Sequence, residues 1–226
     1  MILLSKVRKI RWWVSQRAER MWWDHYLKSK TPKDYLIWKK EYWHRFLSKC
    51  SIHIDVNAQV YDAGCGPAGI YTVLKNSKIV AVDPLLDSYA KLAHFDKNSY
   101  PVVEFINTRI EDYFSEIPFD IIICINAINH VEDIGRSLKM LNRNLHDEGF
   151  MVLSTDVHRN SYLKKLFQLI PGDILHPHQY DLTDYEKMLK ENNFVVDRKI
   201  VLKTGTIFDY YAFIVSKLNK DIEVQG

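Results

Sequence analysis

Val60-Tyr61-Asp62-Ala63-Gly64-Cys65-Gly66-Pro67-Ala68-Gly69 enters as an apolar strand, passes a carboxylate, and ends in glycines spaced for a tight strand-to-helix turn. Further on, Ile79-Val80-Ala81-Val82 runs into Asp83, a second apolar stretch that ends in an acid. Glycines at such a turn let backbone come close to a ligand, and an acid ending the next strand can hold a ribose. Together the two stretches read as a site for a nucleoside cofactor.

Two cofactors compete for the loop. Gly64 to Gly69 satisfies G-x-G-x-x-G, the dinucleotide fingerprint, with Asp83 near the expected offset, so a nicotinamide-dependent oxidoreductase is one reading. Asp62 argues against it. A pyrophosphate site gathers negative charge at glycine amides and a helix N-terminus, and a carboxylate two residues before the first glycine would repel that ligand. S-adenosylmethionine has no phosphate and carries a sulfonium and an ammonium, which an acid beside the loop attracts.

Val60 to Ala68 resembles the first motif of the class I S-adenosylmethionine-dependent methyltransferases, with one departure: Ala68 stands at the third family glycine and Gly69 follows it. Further segments resemble the family in the right order. Phe119-Asp120-Ile121-Ile122-Ile123-Cys124 resembles the fourth strand, Asn126-Ala127-Ile128-Asn129-His130-Val131 the segment after it, and Leu141 to Leu153 the helix, Gly turn (Asp147-Glu148-Gly149) and fifth strand. The likeness covers about residues 55 to 155. It implies that Asp62, Gly64, Cys65 and Gly66 form the cofactor loop and that Asp83 holds the ribose. Pro84 and Leu85 would flank the adenine, and Asn126 would join the cofactor set. Many members hold the adenine amino group with an Asp after the third strand. Here Asn107-Thr108-Arg109-Ile110-Glu111-Asp112 offers the backbone of Ile110 and the carboxylate of Glu111 or Asp112.

From residue 58 onward strands and helices alternate: strand 58–63, helix 68–76, strand 78–83, helix 86–94, strands 102–107 and 119–125, helix 134–146, strand 149–155. That order requires a parallel sheet with crossover connections, because parallel neighbours cannot be joined by tight turns. Asp181-Leu182-Thr183-Asp184 caps a helix through Glu191, and strands 194–201 and 207–215 flank Lys203-Thr204-Gly205-Thr206, a hairpin signal. The expected fold is therefore α/β, a doubly wound, Rossmann-like sheet of seven mostly parallel strands with an antiparallel last strand.

At 226 residues the chain holds one sizeable domain plus an appendage, divided here as residues 1–50 and 51–226. With 47% hydrophobic and 26% charged residues it reads as a globular protein. No apolar run reaches the length of a spanning helix, and no signal-peptide pattern is present. Cys50, Cys65 and Cys124 form no C-x-x-C pair, so neither a disulfide framework nor a metal site is indicated and a reduced, cytoplasmic setting is expected.

Residues 1–50 carry 13 Lys and Arg against 4 Asp and Glu, a net +9, and hold all six tryptophans; the rest of the chain carries −6. This basic aromatic arm reads as two helices, 7–29 and 33–49, the second opened by Thr31 as N-cap and Pro32 in the first turn. Packed on the core it would be a lid over the cofactor, as helices before the first strand are in many members of the resembling family. Trp with Lys and Arg also suits the headgroup zone, so peripheral contact with the inner membrane surface through residues 1–28 is a second reading, with a lipid-like acceptor. Nucleic-acid binding is disfavoured by the acidic core.

Methyl transfer asks the protein to align acceptor and methyl group and sometimes to remove a proton. Ligands in open α/β sheets lie beyond the carboxyl ends of the strands. His130 and His158 are accordingly the candidate bases, each set against a plain packing or surface role. His176, His178 and Tyr180 are candidates for the acceptor pocket; His176-Pro177-His178 lacks the third ligand a metal needs. The expected acceptor is a small or lipid-like molecule methylated on oxygen or nitrogen, and a non-catalytic adaptor that binds cofactor is a further alternative.

Overall fold

A computed structural model describes residues 2–75, 78–159 and 180–218. Two helices, α1 (Ile2–Lys28) and α2 (Pro32–Cys50), precede the sheet. The strands are β1 (Gln59–Ala63), β2 (Lys78–Val82), β3 (Val103–Ile106), β4 (Phe119–Ile125), β5 (Leu145–His158), β6 (Phe194–Lys203) and β7 (Phe208–Lys217). They form one seven-stranded sheet in the order β3-β2-β1-β4-β5-β7-β6. The first five are parallel to their neighbours, and β7 runs antiparallel between β5 and β6. The expected architecture is present.

Alternation along each strand sends side chains to opposite faces, so a central strand buried on both sides reads as continuously apolar. In β4, Ile122 and Cys124 pack on one face with Leu138 and Leu141 of α4 (Ile134–Asn144) and Tyr185 and Leu189 of α5 (Leu182–Glu191). Ile121 and Ile123 pack on the other face with Trp43, Phe46 and Cys50 of α2. Asp133 caps α4 by accepting from Arg136 N at 3.1 Å, and Asp181 and Asp184 form a reciprocal capping box on α5. Thr31 caps α2 by accepting from Asp34 N at 3.2 Å.

Three local expectations are corrected. Where a helix over 68–76 is expected, the described residues through 75 form no α-helix: two single 3₁₀ turns, Gly66–Ala68 and Ile70–Thr72, stand there, separated by Gly69 in an extended conformation. The helix expected over 86–94 closes as α3 (Leu86–Tyr89), because the next amides bond three residues back, Lys91 N to Ser88 O and Leu92 N to Tyr89 O. The turn at 147–149 is a bulge inside β5: Leu145 pairs with Phe119 and Phe150 with Ile121, so the strand begins earlier than expected. The buried stripe of α2 runs through Tyr35, Trp43, Phe46 and Cys50.

Candidate active site

A cavity of about 560 Å³ lies at the carboxyl ends of β1, β2 and β4, walled on its outer side by α1 and α2. The glycine loop forms its floor. Gly64 and Gly66 both take positive φ, 72° and 60°, which L side chains rarely adopt. A Cβ on Gly64 would stand 2.3 Å from that of Ala127, so the loop packs directly on the segment after β4. A Cβ on Gly66 would meet only Trp23 of α1 within 4 Å, so this glycine faces open cavity. Trp43 of α2 donates from Nε1 to Ala68 O at 3.1 Å, which ties the helix to the loop.

Two buried carboxylates organise the loop. Asp62, at the end of β1, accepts from Ile70 N at 2.9 Å. Asp83, directly after β2, accepts from Gly66 N at 3.0 Å and from Leu85 N at 2.8 Å. Gly64 N and Cys65 N donate to Val82 O at 2.8 and 3.1 Å. The amides that a diphosphate would require are thus already bonded to two carboxylates and a carbonyl, and no α-helix follows the loop to offer its N-terminus. Burial pushes both acids up to about 7, with Glu19 adding to the effect on Asp83 and Asp83 to that on Asp62. Two desolvated acids at a cavity wall form a site that a cation relieves and an anion worsens. The donor set therefore fits S-adenosylmethionine and does not fit a dinucleotide.

Asp62, Gly64, Cys65, Gly66, Asp83 and Pro84 all line this cavity, as do Ile110, Glu111, Asn126 and His130. Leu85 does not. It caps the start of α3, and only its backbone serves the site, through Asp83. Glu111 is buried, and its Oε1 accepts from Glu132 N and Asp133 N at 2.7 and 3.2 Å, so it also fixes the segment after β4. Asp112 pairs with Arg109 and Arg136 instead of facing the cavity.

The histidine candidates separate. His130 ends a 3₁₀ turn, Ile128–His130, with its ring in the cavity wall. His158 lies at the last position of β5, buried, its ring 4.3 Å from that of Phe208 and outside the lining. Strand pairing with β7 continues through His158, three residues past the expected end, and turns the ring onto Phe208. Tyr180 packs edge-on to Tyr185 at 5.8 Å and lies outside the lining as well. His176 and His178 fall outside the described residues. Among the described residues no group of three His, Cys, Asp or Glu could hold a metal ion.

The arm contributes residues that the motifs did not reveal. Lys39 of α2 reaches the cavity among the rings of Trp38, Tyr42 and Trp43, 5.8, 5.2 and 5.5 Å from their centroids. Burial lowers its ammonium to about 8, partly offset by Asp62. A cation within an aromatic stripe at helical spacing was the available signal. Gln16 and Glu19 of α1 enter the cavity from above, and Gln16 Nε2 donates to Glu19 Oε2 at 3.4 Å. Ser154 Oγ accepts from the backbone N–H of Asn126 at 3.1 Å and shares a 2.6 Å hydrogen bond with Tyr210 of β7. Asn126 holds this position with φ at 53°.

Comparison with known proteins agrees with this geometry. Residues 35–199 match a family model described as a methyltransferase domain. A ubiquinone biosynthesis O-methyltransferase of Rickettsia conorii is 27% identical over 173 residues, 74% of this chain and 59% of that protein, so the match spans less than two thirds of the relative. The protein of the same name from Rickettsia akari is 26% identical over 199 residues, 84% of this chain and 75% of that one. Among solved structures, a Burkholderia thailandensis 1,6-didemethyltoxoflavin-N1-methyltransferase with bound 1,6-didemethyltoxoflavin and S-adenosylhomocysteine superposes with a TM-score of 0.58. It does so at 16% identity over 94% of this chain and 88% of that one, a likeness of fold.

Proposed function

Since the chain belongs to the class I S-adenosylmethionine-dependent methyltransferases, we propose that it methylates a hydroxyl group of a small-molecule acceptor. The observation that carries this reading is the buried Asp62–Asp83 pair around a glycine loop whose amides are already taken. Asp83 would hold the ribose with the lone pairs left on its carboxylate, and Asp62 would face the cationic end. Ile110 and Glu111 would border the adenine, and Lys39 would meet the cofactor carboxylate. Bound there, S-adenosylmethionine supplies an activated methyl group that a nucleophile displaces in line, the C–S electron pair returning to sulfur. Oxygen is favoured over nitrogen because the relatives are named as O-methyltransferases. Of the histidine candidates, His130 borders the cavity and is the base in this reading; it takes the hydroxyl proton as the new C–O bond forms.

Calorimetry tests the cofactor assignment directly. S-adenosylhomocysteine should bind wild type, reduced nicotinamide dinucleotide should not, and Asp83→Ala should weaken binding by more than about tenfold. That is the size of one lost charge-assisted hydrogen-bond pair. An unchanged affinity in a folded Asp83→Ala protein would remove Asp83 from the site.

The outer face of α1 bears on where the acceptor comes from. Ile10, Trp13 and Met21 are exposed at 63%, 59% and 60%, and the Arg17 guanidinium lies 5.9 Å from the centroid of the Trp13 ring. Apolar rings and cations on one side of a helix suit an anionic membrane surface. No helix among the described residues is long and apolar enough to cross a membrane. Replacing Ile10, Trp13 and Met21 together by Ser should cut cosedimentation with phosphatidylglycerol vesicles several-fold at low salt. Equal sedimentation of both proteins would retire the membrane reading.

A further inference from the structure

His130 and Glu19 reach the cavity from two separate elements. His130 belongs to the turn after β4, whereas Glu19 sits five turns along α1, a helix that contributes nothing to the sheet. Their facing atoms, His130 Nδ1 and Glu19 Oε2, stand 3.8 Å apart, with both side chains largely buried (16% and 20% exposed). That separation is within ion-pair reach, and catalytic hydrogen bonds are often this long before ligands bind. Gln16, one helical turn before Glu19 and itself buried, donates to the same Oε2 at 3.4 Å and so holds the carboxylate in place. We propose that Glu19 is a positioning residue for His130: its carboxylate fixes the Nδ1–H tautomer and stabilises the imidazolium, so the base is complete only with α1 over the cavity.

This rests on the methyltransferase reading and deepens it. With Nδ1 directed to Glu19, the proton from the acceptor is received at Nε2. The acceptor's O–H bond breaks, its proton passes to Nε2, and the oxygen lone pair takes the methyl carbon as the C–S pair returns to sulfur. An imidazolium formed beside a desolvated carboxylate is stabilised far more than one facing water. Charged groups on the neighbouring turns and strand ends have partners of their own. Arg109, from the turn after β3, pairs with Asp112 and Glu132; Glu111 accepts the amides of Glu132 and Asp133; Asp133 caps α4; and Asp83 holds Gly66 and Leu85. Coupling the base to a lid helix has a functional consequence: proton removal waits until the site is covered and water is excluded.

The test needs no knowledge of the acceptor. In the full chain with S-adenosylhomocysteine present, the His130 ring is followed by ¹⁵N NMR against pH in wild type, Glu19→Gln and Glu19→Asp. Glu19→Gln should lower the His130 titration midpoint by at least about half a unit and weaken the Nδ1–H tautomer signature. Glu19→Asp should recover part of the shift. Affinity for S-adenosylhomocysteine should change less than threefold. An unmoved midpoint overturns the proposal. So does a loss of affinity beyond tenfold with the His130 titration unchanged, which would make Glu19 a cofactor ligand. Failure of wild type to bind S-adenosylhomocysteine at all would instead sink the underlying cofactor reading, and the proposal with it.

Discussion

Gly69→Ala is expected to abolish measurable binding of S-adenosylhomocysteine and to lower stability by roughly 2–6 kcal/mol, the sum of an overpacked core position and a buried amide left unpaired. The reason is contact, not backbone freedom, since Gly69 has an ordinary φ of −72°. A Cβ there would stand 2.1 Å from Asp62 Oδ2, 2.9 Å from the carbonyl oxygen of Cys65 and 2.9 Å from the Tyr71 ring. The carboxylate would have to swing away, stranding the Ile70 amide that it accepts at 2.9 Å. The loop and the cationic end of the site would fail together. Gly66→Ala gives the contrasting result. Its Cβ would enter open cavity near Trp23, so it should carry only the penalty of about 1 kcal/mol for alanine at positive φ while still blocking the ligand. Calorimetry paired with thermal melts separates the two. A Gly69→Ala protein that melts like wild type and binds normally would show that Asp62 does not organise the loop.

That contrast shows where sequence suffices and where it stops. The strands could be placed because β1, β2 and β4 are apolar on both faces and β1 runs on into an acid and glycines, a local pattern that the sheet only has to preserve. The cap of α2 was likewise legible in Thr31-Pro32, since its partner lies three residues away. The role of Gly69 was not. Read linearly, Ala68 looked like a missing glycine, but the close approach occurs at Gly69, between it and a side chain seven residues earlier. The same fact removed the expected helix, because the Asp62 bond to Ile70 holds an extended residue between two short turns. His158 was misplaced for a related reason: whether β5 ends before it depends on its pairing with β7, fifty residues on. Lys39 shows in sequence only as a cation within an aromatic stripe, and Glu19 only as an acid in a basic arm; the chemistry of each arises where α1 and α2 meet the sheet.

Affinity for S-adenosylmethionine should follow a bell-shaped pH dependence with its maximum between about 7 and 8. Asp62 and Asp83 are both held up to about 7, chiefly by burial, so without ligand they keep protons well above the ordinary carboxylate range. A bound cation favours their ionised forms, so binding below pH 7 must expel protons. Log affinity should then rise with pH at a slope approaching two, flattening once both are ionised. The upper limb comes from Lys39, lowered to about 8 by burial: above that pH it no longer offers a cation to the cofactor carboxylate. For stability without ligand the sign is opposite. The folded-state values of the two acids lie above their unfolded ones, so their contribution is fully present below pH 4 and is lost as pH rises through 7. The melting temperature should therefore fall across that window while affinity climbs. Titrations in buffers of different ionisation enthalpy measure the released protons, and Asp83→Asn should reduce the low-pH slope by about one. S-adenosylhomocysteine, whose sulfur is neutral, should show a shallower rise than S-adenosylmethionine. Equal slopes for the two ligands would mean that the sulfonium does not sense the buried acids, and the electrostatic basis of cofactor choice at this loop would fall.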